Sequence, residues 1–122
     1  MRLLLDTHVL LWWLAGHQSE VHRVIADPGH WVSVSAASIW EASIKRRLGK
    51  LTIDGDLVES VRADGFDELA ISSEHADLAG SLPMHHRDPF DRMLIAQAMS
   101  DDLTIVTRDP AFAPYEVQTI PG

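Results

Sequence analysis

The chain opens on an apolar run, RLLLDTHVLLWWLA, whose spacing changes at Asp6. Leu3, Leu4 and Leu5 are consecutive and end at an acid, which predicts a short buried strand over Arg2–Leu5. Beyond Asp6, Val9, Leu10, Trp13 and Leu14 recur at helical spacing, which predicts a helix over Thr7–Ala15 with Gly16 as its stop. A second short helix is expected over Ser19–Ala26, ended by Asp27-Pro28-Gly29. Trp31–Val34 is short and rich in β-formers, a second strand. Ser35 stands where an N-cap is needed for a helix running to about Leu48, with Gly49 beyond it. A short helix over Asp56–Asp64, a weak strand over Phe66–Ile71 and a helix over Ser73–Leu82 follow, the last with Ser72 or Ser73 as its cap and Pro83 after it. The helix that begins in DPFDRMLIAQA, residues 88–98, is apolar nearly all round, so it belongs inside the protein. A strand over Leu103–Val106 and a weak one over Tyr115–Thr119 complete the pattern.

Strands that alternate with helices imply an α/β protein with a parallel sheet covered on both faces. The length, 122 residues, suits a single domain over 1–122. In such sheets a site forms in the crevice beyond the carboxyl ends of the strands. The polar residues that directly follow strands therefore matter most. Asp6 follows the first strand, Asp109 comes just after LTIVT, Glu41 lies in the helix after the second strand, and Asp91 lies in the first turn of the buried helix. A parallel layout permits all four to meet at one edge. Each also has a plainer explanation. Asp6 could cap the helix at Thr7, Asp109-Pro110 could open a turn, Glu41 could face solvent, and Asp88-Pro89-Phe90-Asp91 is a good capping signature with Asp88 as the cap. Converging carboxylates repel unless a cation lies between them. Oxygen donors without cysteine or paired histidines suit Mg²⁺ or Mn²⁺, which activate water and stabilise the leaving oxygen of a phosphodiester.

Composition narrows this further. There is no cysteine, so disulfides and thiolate metal sites are excluded. The opening apolar run is too short and too interrupted to span a bilayer, and no signal peptide is recognisable; a cytoplasmic protein without a membrane contact is expected. Ten basic against 18 acidic residues give a net charge of −8. This argues against binding nucleic acid through a broad basic surface and invites a basic protein partner. Lys45, Arg46, Arg47 and Lys50 form the one basic run, an RNA-backbone patch or simply the basic end of a helix. His85, His86 and Arg87 could touch phosphate, but as loop residues they read as solvated, with no zinc spacing. His8 reads as helix-packed. Trp12, Trp13 and Trp40 read as core or dimer-face residues rather than base-stacking ones.

Taken in order, LLLDTHVLLWWL, SAASIWEASIKRRLGKL, HRDPFDRMLIAQA and LTIVTRD resemble the PIN domain, and more narrowly the VapC-like toxins of bacterial toxin–antitoxin pairs. The resemblance runs from Arg2 to at least Pro110. It implies a three-layer α/β/α fold and a Mg²⁺- or Mn²⁺-dependent ribonuclease. By position the family's four acids fall on Asp6, Glu41, Asp91 and Asp109 as metal ligands, and its hydroxyl on Thr107, orienting Asp109 or water. The resemblance further implies a cognate antitoxin whose C-terminal segment blocks the site, and a homodimer. Two other functions fit the same residues: a PIN nuclease of RNA maturation or of DNA structures, and a non-catalytic module that docks a basic peptide on an acidic edge.

Overall fold

A computed structural model describes residues 1–16 and 20–122. Five strands, β1 (Arg2–Leu5), β2 (Trp31–Ser35), β3 (Asp67–Leu69), β4 (Thr104–Val106) and β5 (Thr119–Ile120), form one sheet in the order β3-β2-β1-β4-β5. Every pairing is parallel, with Leu3 opposite both Val32 and Thr104. Among the described residues six α-helices lie between the strands: α1 (Thr7–Leu14), α2 (Glu20–Ala26), α3 (Ala36–Arg47), α4 (Leu57–Ala63), α5 (Ser73–Ser81) and α6 (Pro89–Asp101). The first residue expected for α2, Ser19, lies outside the described residues.

The alternation along β1 divides the interior in two. Leu3 and Leu5 point into one core with Val9, Leu10, Val21, Ile25 and Val61 of α1, α2 and α4. Leu4 points into the other, with Ala79 of α5 and Leu94, Ile95, Ala96 and Ala98 of α6. The result is the three-layer α/β/α arrangement, with β1 buried on both faces as its unbroken leucines require.

Local chemistry sets most element ends. The Ser35 hydroxyl accepts from the Ala37 N–H at 3.0 Å, Asp56 accepts from Glu59 at 3.0 Å, and Ser72 accepts from His75 at 3.1 Å. Asp88 accepts from the N–H groups of Phe90 and Asp91 at 2.8 and 3.2 Å, with Pro89 at the first helical position. Asp6, by contrast, makes no side-chain cap to α1.

Two weak strands differ from expectation. β3 is an edge strand that pairs only with β2 and forms over three residues, not six. β5 begins at Thr119 because Tyr115 is drawn into the second core, where its hydroxyl donates to the Pro83 carbonyl at 2.7 Å and accepts from the His86 N–H at 2.8 Å. Among the described residues no helix is long and apolar enough to cross a membrane.

Candidate metal centre

The chain passes from β1 to β2 and β3 on one side of the sheet, then crosses to β4 and β5 on the other. The direction therefore reverses between β1 and β4, and the crevice opens at their carboxyl ends. Asp6 stands there. Its N–H donates to the Val106 carbonyl of β4 at 3.0 Å, and its side chain is only 3% exposed. Asp6 Oδ2 accepts from the Thr107 hydroxyl at 2.7 Å, and that hydroxyl accepts in turn from the Asp109 N–H at 3.0 Å. Asp6 Oδ1 is buried with no hydrogen-bond partner. A buried carboxylate oxygen left bare is costly unless something positive meets it.

Asp91 reaches the same place from the start of α6. Its Oδ2 lies 2.7 Å from His86 Nε2. His86 Nδ1 faces the Asp88 N–H at 3.4 Å, the orientation that leaves the ring proton on Nε2 to donate to Asp91. Ligand atoms of His86, Asp91 and Asp109 lie within 4.8 Å of one another. Burial, with the negative charges of Asp88 and Asp6 added, pushes the Asp91 carboxyl up to about 7 against the pull of His86. Burial also pushes Asp6 up; the Thr107 hydrogen bond opposes it and the charge of Asp109 adds to it. Clustered hard oxygen donors, one of them orphaned, with raised carboxyls, form a donor set that fits a divalent cation.

Residues 3–117 match the family model of the PIN domain. The chain belongs to the PIN domain family. Solved structures agree in fold. VapBC from Salmonella typhimurium, solved with DNA, is similar at 16% identity and a TM-score of 0.74, covering 99% of this chain and 98% of that one. A toxin–antitoxin complex from Klebsiella pneumoniae matches at 19% identity and 0.70, covering 96% and 94%. VapBC-5 from Mycobacterium tuberculosis, a member of the VapBC family of toxin–antitoxin systems, matches at 18% and 0.64, covering 99% and 98%. No curated protein matches the chain.

This PIN domain brings Asp6, Asp91, Asp109 and Thr107 to one edge, a meeting that the parallel layout permits. Two plainer explanations were partly right: Asp109 Oδ1 does accept from the Ala111 N–H at 2.9 Å, capping a 3-10 turn over Pro110–Phe112, and Asp88 is the cap of α6. Glu41, like Asp6, is not among the three residues whose ligand atoms lie within 4.8 Å of one another. Its Oε2 lies 3.3 Å from Lys45, while its Oε1 is buried without a partner. Its neighbour Trp40 meets Phe90 edge-on at 5.1 Å, so α3 passes the start of α6 close to the site.

The basic run does not form one patch. Lys45 is committed to Glu41, and Arg46 donates to the carbonyls of Ile53 and Gly55, both at 2.6 Å, which ties down the loop after α3. Arg47, Lys50 and Arg87 are exposed. Three functional neighbours went unread in the sequence. His86 is a half-buried partner of Asp91 rather than a solvated loop residue. Arg92 is buried and donates to the carbonyls of Ala79, Leu82, Pro83 and His86, so it fixes the loop that carries His86. Arg108 lines the crevice beside Asp109. No spacing signals these roles; a histidine two residues ahead of a capping aspartate is the nearest local hint.

Proposed function

We propose that this chain is a metal-dependent endoribonuclease that acts as the toxin of a toxin–antitoxin pair. The observation that carries the reading is Asp6: a carboxylate buried at the carboxyl end of the central strand, one oxygen fixed by Thr107 and the other bare, facing the charges of Asp91 and Asp109. That set of donors on a PIN domain suits Mg²⁺ or Mn²⁺, held by Asp6, Asp91 and Asp109 with Glu41 completing the acidic set from α3. When bound, the cation supplies activation of water and stabilisation of the leaving oxygen of an RNA phosphodiester. The chain's own part is positioning. Thr107 holds Asp6 and the backbone of Asp109 at once, and His86 holds Asp91.

The likeness to toxin–antitoxin complexes supports a partner of the same kind, an antitoxin whose segment covers the site. A net charge of −8 favours a basic segment, and an arginine fork would pair with the bare carboxylates. A homodimer in the cytoplasm completes the reading.

The test is cleavage of a pool of structured cellular RNAs by purified protein freed of any antitoxin, with Mg²⁺, with Mn²⁺ and with EDTA, beside Asp6→Asn. Cutting that needs the metal and disappears in the variant is expected. An Asp6→Asn protein that cuts at the wild-type rate would overturn the assignment. A folded wild type that neither cuts RNA nor binds Mn²⁺ would turn the site into a docking surface for a basic peptide.

A further inference from the structure

Beside the carboxylates lies a cleft of about 270 Å³ lined by Asp6, His8, Val9, Trp12, Arg108 and Asp109. It is close to the lower end of the roughly 300–1,000 Å³ range of small-molecule pockets, a size for one nucleoside rather than a length of chain. His8 and Trp12 are four residues apart on α1 and share a face of it, so both side chains stand over the cleft from one helix. Arg108 enters from the loop that follows β4, its guanidinium carbon 5.4 Å from the centre of the Trp12 ring. The position of Arg108 is set on both sides, by buried Thr107 and by Asp109, whose N–H is held by the Thr107 hydroxyl.

The side chains that line this cleft differ in kind from those of the metal site. Trp12 is 40% exposed although it stands at the mouth of a buried site. Trp13, the next residue, is used structurally: its ring stacks on His22 at 4.5 Å and its Nε1 donates to Asp64 at 2.9 Å. Arg46 and Arg92 are tied to backbone carbonyls and Lys45 is paired with Glu41. Arg108 takes no hydrogen bond or ion pair among the described residues. An unspent guanidinium and an open indole face, on the lip of an acidic crevice in a chain of net charge −8, match one kind of ligand: a flat ring with a phosphate attached.

We propose that this cleft is the subsite for one nucleotide next to the scissile phosphate, with its base stacked on Trp12 and its phosphate held by Arg108. The subsite rests on the nuclease reading and gives that reading its contact with substrate. It also explains how a strongly acidic protein holds a polyanion: a guanidinium without a hydrogen bond or ion pair among the described residues stands on the lip of the acidic crevice.

The experiment uses a short RNA spanning a cut site mapped on the wild type, together with copies in which each nucleotide flanking the cut is made abasic in turn. Trp12→Ala is expected to lower kcat/KM by roughly 5- to 150-fold, the range for loss of one base–aromatic stack. Trp12→Phe is expected to keep most of the rate, and Trp31→Ala, at the amino end of the sheet and 63% exposed, to keep all of it. Arg108→Ala is expected to lower the rate and to flatten its dependence on salt. At one abasic position the wild type and Trp12→Ala should become equal. The same ratio should appear in binding of the labelled RNA to Asp6→Asn protein with and without the Trp12 change, a readout that needs no cleavage. If the Trp12 and Arg108 variants cut and bind as the wild type does, or if every abasic site slows both proteins by the same factor, the subsite is overturned while the nuclease stands. A wild type that cuts no RNA overturns the nuclease reading and the subsite with it.

Discussion

Thr107 does two jobs with one hydroxyl: it donates to Asp6 Oδ2 at 2.7 Å and accepts from the Asp109 N–H at 3.0 Å. Valine would keep the shape and the β-branch and lose both bonds, freeing the Asp6 side chain to rotate and leaving the Asp109 N–H bare. Partners of this kind typically govern affinity for a metal by 10- to 100-fold. Thr107→Val is expected to fold and to weaken Mn²⁺ by about that factor, read by titration against the signal of free Mn²⁺ in electron paramagnetic resonance. His86→Ala should act in the same direction through Asp91, since it removes the donor to Oδ2. Unchanged affinity in both variants would mean that the carboxylates are positioned by their backbones alone.

At the scale of elements, the part of the site that was legible in the sequence is the part made by neighbours in the chain. The Asp88-Pro89-Phe90-Asp91 start of α6, the Ser35 cap of α3 and the acid directly after β1 all follow from residues within a few positions of one another. The contacts that hold those elements to each other were not legible, because nothing local marks them. Tyr115 reads as a strand residue until its hydroxyl is seen joining the loop at Pro83 and His86. Arg92 reads as the polar break in an apolar helix, yet it gathers four carbonyls from the end of α5 and the loop beyond. Glu41 was read as part of the acidic set, but its distance from that set depends on how α3 lies against α6, which spacing does not determine. The prediction at this scale concerns Arg92. Methionine has nearly the right length and no donors, so Arg92→Met leaves buried carbonyls unsatisfied and unties α5 from α6. A loss of about 2–4 kcal/mol is expected, seen as a lower urea midpoint. A variant as stable as the wild type would show that water replaces the guanidinium without cost.

Across the whole molecule, the order β3-β2-β1-β4-β5 draws acids from positions 6, 91 and 109 into one crevice, and the fold bears the electrostatic cost. Asp91 has its carboxyl at about 7 in the folded chain against an ordinary 3.8, so between those values the native state binds more protons than the unfolded state. Stability must then fall as pH rises through that window, and Asp6, also raised, acts with the same sign. In metal-free protein kept in EDTA, the stability of Asp91→Asn relative to the wild type should rise from about pH 4 and level off above about pH 7. At roughly 1.36 kcal/mol per unit the full shift would be worth about 4 kcal/mol, and partial solvation of the site reduces the expected gain to about 1–2 kcal/mol, several degrees in Tm. The hydrogen bond from His86 favours the ionised carboxyl and is already contained in the value of about 7. Saturating Mn²⁺ at pH 8 should restore the wild type and leave Asp91→Asn little changed, because the cation removes the repulsion that the substitution has already relieved. Parallel pH profiles for the two metal-free proteins would mean that the carboxylates do not oppose folding, and would remove the physical reason for a cation at this edge.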